Sequence, residues 1–87
     1  MPELILEATY LVRSAPGVAY LPRVYGQQRS DGTWEGWIEF IPLPETEPTL
    51  QTNRETTQSN RDALAYWASG LEPVYYDGAF ARARPVR

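Results

Sequence analysis

The chain has 87 residues, 11 acidic and 8 basic, and a formal net charge of −3. That length suits one small domain with no room for a second core. Cysteine, histidine and lysine are all absent. Their absence excludes disulfides and thiolate nucleophiles, imidazole bases and His-based pH switches, and Schiff-base or P-loop lysine chemistry.

All basic residues are arginine, which we read as base composition rather than selection for planar guanidinium groups. Leu, Ile, Val and Phe together number 18 of 87, just above the level of about 20 % below which disorder sets in. Three Trp and six Tyr add area, since each aromatic buries about 150–250 Å². A chain this short hides only about 60 % of its unfolded surface. The expectation is a folded, modestly stable domain for which oligomerisation is a natural supplement.

The start, MPELILEATYLV, carries Glu3 and Glu7 inside its apolar run. A secretory signal needs a basic start and an unbroken apolar stretch. No stretch approaches 18 apolar residues, so no membrane span and a cytoplasmic location are expected. Residues 3–13 alternate. Leu4, Leu6, Ala8, Tyr10 and Val12 share one face, with Ile5 and Leu11 among the polar residues of the other. A helix also fits Leu4, Ala8 and Leu11, but β-branched and aromatic content tips the reading to strand. Ala15-Pro16-Gly17-Val18 reads as a type II turn.

Val18–Gln28 and Thr33–Ile41 are strand-like and flank Ser30-Asp31-Gly32, a strong hairpin mark. Two registers compete. A three-residue loop with Gly32 left-handed pairs Tyr25 with Trp37, Arg23 with Glu39 and Leu21 with Ile41 on one face. On the other it pairs Gly26 with Gly36, Val24 with Ile38 and Pro22 with Phe40. The two-residue alternative sets Arg23 against Phe40. The first is preferred for its ion pair and aromatic pair.

Residues 42–48, with three prolines, read as an extended loop. Thr49–Thr52 reads as a short strand with Leu50 inward. Thr57 or Ser59 suits an N-cap, and Ser59 with Asp62 resembles a capping box. Leu64, Trp67, Ala68 and Leu71 form one helical stripe over about residues 58–69. Gly70 suits a left-handed cap, and Pro73 a stop. Val74–Tyr76 reads as a strand, Asp77-Gly78 as a turn, and Ala79–Ala83 as its continuation. The fold class expected is α+β: a mostly antiparallel sheet of four to five strands with one helix on one face. It forms a single domain over residues 1–81, with a flexible basic tail over residues 82–87.

The run Trp34-Glu35-Gly36-Trp37-Ile38-Glu39-Phe40-Ile41-Pro42, followed by Thr56-Thr57 before Arg61-Asp62-Ala63-Leu64, resembles small HicB-like antitoxin domains across roughly residues 20–78. Asn53-Arg54-Glu55-Thr56 departs from the family's Gly-Asp-Thr at the helix entry. The tail is also too short for the separate DNA-binding domain that many of these antitoxins carry. The resemblance implies a partial ribonuclease-H-like fold that binds a protein partner without catalysis.

Four groups of residues stand out. Glu35 and Glu39 share a strand face, but stand roughly 13 Å apart at the backbone, so a solvated face is preferred to a metal pair. Tyr25 and Trp37, flanked by Leu21, Ile41, Arg23 and Glu39, make either an exposed aromatic platform or a covered second face, and both readings stay open. Arg54 and Arg61 frame the helix start, where phosphate capture competes with local pairing to Glu55 and Asp62. Pairing is preferred because no Gly-rich loop is present. Arg82, Arg84 and Arg87 form a tail that could meet nucleic acid, an acidic partner or the protein's own acidic body. A pI near 4.8 disfavours nucleic acid. The expected function is a non-enzymatic protein-interaction module, homodimeric or an accessory subunit, contacting through a sheet face or edge and needing no cofactor or metal. Single-stranded nucleic-acid binding through the same aromatics stands second, and a carboxylate enzyme with a divalent ion stands last.

Overall fold

The computed structural model describes residues 1–44 and 46–86. The hairpin dominates. β3 (Ala19–Gln28) and β4 (Trp34–Leu43) pair along their whole length in the register of the three-residue loop. Gly32 has φ 89°, a conformation that a side chain would strain. Its N–H bonds the Arg29 carbonyl at 3.0 Å, while the Arg29 N–H bonds the Thr33 carbonyl at 2.7 Å.

Two short segments lie end to end on each flank of this hairpin. β1 (Glu3–Glu7) and β2 (Val12–Arg13) both pair with β3. β5 (Leu50–Gln51) and β6 (Thr56–Gln58) both pair with β4. β7 (Arg84–Pro85) adds to β5. Among the described residues the antiparallel sheet thus has seven strand segments, with two helices, α1 (Arg61–Ser69) and α2 (Pro73–Arg82). The class is α+β as expected. The count exceeds four to five strands because both flanks are broken, and a second helix is added.

The breaks have local causes. The single strand expected over residues 3–13 carries a register shift between Leu4 and Leu6. Ile5 thereby joins Leu6 against the core, while Leu4 stays 47 % exposed. The expected turn at Ala15–Val18 lies one residue earlier: the Gly17 N–H bonds the Ser14 carbonyl at 2.8 Å, with φ 91° at Gly17. β4 runs two residues beyond Ile41 into the proline segment. Between β5 and β6, Thr52 is buried, and its Oγ1 accepts from the Ile38 N–H at 3.1 Å.

The N-cap of α1 is Asn60, whose Oδ1 accepts from the Ala63 N–H at 2.8 Å. Neither Thr57 nor Ser59 caps it, because Thr56–Gln58 is taken into β6, where β-branched threonines fit the pleat. Asn60→Ala should lower the unfolding free energy by about 1 kcal/mol. A urea titration checks this, and an unchanged midpoint would remove the cap's role.

Gly70 ends α1 with φ −92° rather than a left-handed value. Pro73 is not a stop. It opens α2, where its missing N–H costs nothing and its fixed φ suits the first turn. The expected strand at Val74–Tyr76 and its continuation are therefore helical. Tyr76, Ala79, Phe80 and Ala83 make an apolar stripe at spacings of three and four. Phe80 packs on Phe40 and Tyr20 at 5.2 and 5.0 Å between ring centres. The sequence set the tail apart at Arg82. In the structure Arg82 ends α2, Ala83 is buried, Arg84–Pro85 forms β7, and the Val86 N–H bonds the Thr49 carbonyl at 2.9 Å.

Both helices lie on one face of the sheet. Leu64 of α1 sits over the cross-strand pair Gly26–Gly36, and Phe80 of α2 sits over Phe40. The core between them holds Val24, Ile38, Phe40, Leu64, Ala68, Tyr76 and Ala79. No helix of the described residues is long and apolar enough to cross a membrane.

Candidate functional site

Side chains alternate along β3 and β4. The second face of the hairpin therefore carries Leu21, Arg23, Tyr25 and Gln27 against Ile41, Glu39, Trp37 and Glu35. Neither helix covers it. The six residues singled out from the sequence, Leu21, Arg23, Tyr25, Trp37, Glu39 and Ile41, are brought together there as three adjacent cross-strand pairs.

The open-or-covered question has an intermediate answer. Trp37 is only 9 % exposed and forms the floor of the face, whereas Tyr25 is half-buried above it. The Trp37 indole Nε1–H donates to Glu39 at 3.4 Å. The expected ion pair between Arg23 and Glu39 is replaced. β1 sets Glu7 across from Arg23, and the Arg23 Nε–H donates to Glu7 Oε1 at 2.9 Å. That hydrogen bond to Glu7, helped by Tyr25, raises the guanidinium pKa above its ordinary value.

The face is graded. One end is apolar, with Leu21 and Ile41 half-buried and Leu43 44 % exposed. The other end holds a shallow hollow of about 320 Å³ lined by Gln27, Glu35, Trp37, Gln51, Asn53 and Arg54. There Gln27 Nε2 donates to Glu35 Oε2 at 2.9 Å, and Arg54 lies 4.0 Å from Glu35 Oε1. Glu35 and Glu39 thus take separate partners. Among the described residues, no three His, Cys, Asp or Glu side chains gather as a metal cluster would require.

The arginines are not gathered into one site. Arg54 and Arg61 leave the expected neighbours Glu55 and Asp62 for Glu35 and for Glu3, the latter at 3.1 Å. Arg82 pairs with Glu55, and Arg84 donates to the Arg82 and Ala83 carbonyls at 3.3 and 3.0 Å. Arg87 lies outside the described residues. The N-terminus of α1, the expected place for phosphate capture, is already capped by Asn60.

Sequence reasoning missed one cluster. The Glu55 side chain is 9 % exposed and accepts from both the Tyr75 hydroxyl, at 2.6 Å, and Arg82. Tyr75 and Arg82 lie seven apart on α2, so the cluster clasps that helix to the loop before β6. Reading residues 73–82 as a helix would have shown the two on one side. Burial, then the hydrogen bond to Glu55, pushes the Tyr75 pKa up to about 12.

Compared with known proteins, the chain matches no family model, no curated protein and no solved structure.

Proposed function

We propose that the protein is a non-enzymatic interaction module whose contact surface is the uncovered face of the β3–β4 hairpin. The carrying observation is that a face with Leu21, Tyr25, Ile41 and exposed Leu4 and Leu43 is left without a helix. A monomer of this size gains little by leaving such a surface bare. The edges are poorer candidates. β1 is short, shifted in register at Ile5 and flanked by Glu3 and Glu7, and β7 has two residues ending in Pro85. Both features blunt strand addition. The ion pairs of Arg61 with Glu3 and of Arg82 with Glu55 weigh against a nucleic-acid reading, because these cations already have carboxylate partners. The reading rests on this face and not on the HicB-like resemblance, since Thr56-Thr57 lies in β6 and α2 stands where that layout has its last strand.

The test is a photo-crosslinking amino acid placed at Ile41 on the open face or at Val74 on the exposed side of α2. Adducts in the producing cells are expected from the first and not the second. Equal yields, or none from Ile41, would sink the face reading.

A further inference from the structure

The register of the hairpin carries more than the existence of a contact. Resting on the reading of this face as a contact surface, we propose that its occupant is a second copy of the chain. The copy would be stacked face to face about a two-fold axis that runs along the strands between β3 and β4.

A rotation about that axis keeps each residue at its height along the strands and exchanges β3 for β4. Every β3 residue then lies over the partner copy's equivalent of its own cross-strand neighbour. Those neighbours are Leu21–Ile41, Arg23–Glu39, Tyr25–Trp37 and Gln27–Glu35. The symmetry therefore sets apolar on apolar, arginine on carboxylate, aromatic on aromatic and amide on carboxylate, each pair twice. A self-complementary patch of this kind is what an isologous dimer requires. An axis perpendicular to the strands would reverse heights and bring Leu21 and Ile41 towards the Gln27–Glu35 end, against polar groups.

The charge balance points the same way. Arg23 and Arg54 stand with Glu7, Glu35 and Glu39 on this face, so it is close to neutral within a chain of net charge −3. A strongly acidic or basic partner finds no matching field there, whereas a copy does. Among the described residues the Glu39 carboxylate has no arginine partner, since the Arg23 Nε–H is given to Glu7. In the dimer the partner copy's Arg23, held to its own Glu7 through Nε alone, would turn its terminal guanidinium N–H groups to Glu39. Aligned sheets pack about 10 Å apart with strands crossing near 30°, which keeps the central pairs over one another.

The test uses the full chain and light scattering across concentration. The unaltered protein should show the mass of two chains. Arg23→Glu and Glu39→Arg should each fall to the mass of one, because like charges then face each other twice. An equimolar mixture of the two variants should regain the mass of two, since every altered pair is again opposite in sign. Circular dichroism checks that each variant folds. If Arg23→Glu unfolds through crowding against Glu7, Ile41→Arg serves in its place, with loss of the double mass as the expected readout. A dimer unaffected by these changes would place the copy elsewhere and overturn this proposal, leaving the face reading to the Ile41 crosslinks. A monomer at every concentration would overturn self-docking alone, and crosslinks from Ile41 would then still uphold the face.

Discussion

Leu64→Ala is expected to lower the unfolding free energy by about 2–5 kcal/mol, a large part of the total for a domain whose whole stability is about 5–15 kcal/mol. Leu64 is completely buried, and its two methyl groups occupy a slot made by the glycine pair Gly26–Gly36. A Cβ built on Gly26 falls 2.4 Å from Leu64 Cδ2 and 3.0 Å from the Glu35 carbonyl oxygen. One built on Gly36 falls 2.6 Å from Leu64 Cδ1. Gly26→Ala or Gly36→Ala alone should therefore cost about 1–3 kcal/mol by overpacking.

The decisive comparison is the double variant. Gly36→Ala added to Leu64→Ala places a methyl group in the space that the leucine leaves. The combined loss should be smaller than the two single losses together. Gly26→Ala should be rescued less well, because the Glu35 carbonyl contact remains. Urea titrations of the singles and doubles measure both couplings. Strict additivity at both glycines would mean that Leu64 does not fill this slot, and would remove the account of how α1 is seated on the sheet.

That slot shows what local sequence can and cannot reveal. The facing glycines follow from the hairpin register, which Asp31-Gly32 and the alternation around it make readable. Their use as a seat for Leu64 does not follow, because Leu64 arrives from a helix far along the chain. The open face is similar. Its membership is set by alternation and was readable residue by residue, from Leu21 to Ile41. The near-burial of Trp37 and the diversion of Arg23 to Glu7 depend on how β1 docks, which the register shift at Ile5 decides.

The second helix is hidden from local sequence for a different reason. Val74-Tyr75-Tyr76 has strong strand preference, Gly78 weakens a helix, and Pro73 ends one helix as readily as it begins another. Tertiary burial of Tyr76, Ala79, Phe80 and Ala83 outweighs those local preferences. Once α2 is helical, Tyr75 and Arg82 reach Glu55, and the supposed free tail becomes the far edge of the sheet.

Alkaline unfolding between about pH 10 and 12 should be the other large effect, and the absence of lysine makes it unusually clean to read. With arginine titrating higher, the six tyrosines are the side chains that lose protons in this window. Burial pushes the Tyr76 pKa from 10.0 up to about 12, with Tyr10 adding to the shift, and Tyr75 reaches a similar value. The Tyr10 phenol is raised as well, by burial first and then by Glu72. A phenol with a folded-state pKa above its unfolded value near 10 stabilises the fold while it is protonated in both states. That contribution is complete below pH 10 and is lost as pH rises through the folded value near 12. A two-unit shift at the buried Tyr76 is worth of the order of 2 kcal/mol, and the partly exposed Tyr75 adds a smaller amount. Urea midpoints measured from pH 9 to 12 should fall steeply above about pH 10, in step with tyrosinate absorbance. Tyr76→Phe should show a shallower fall, and Tyr75→Phe with Tyr76→Phe a shallower one still. A wild-type midpoint that stays level to pH 12, or an equal slope in the double variant, would show that these phenols are not held protonated by the fold.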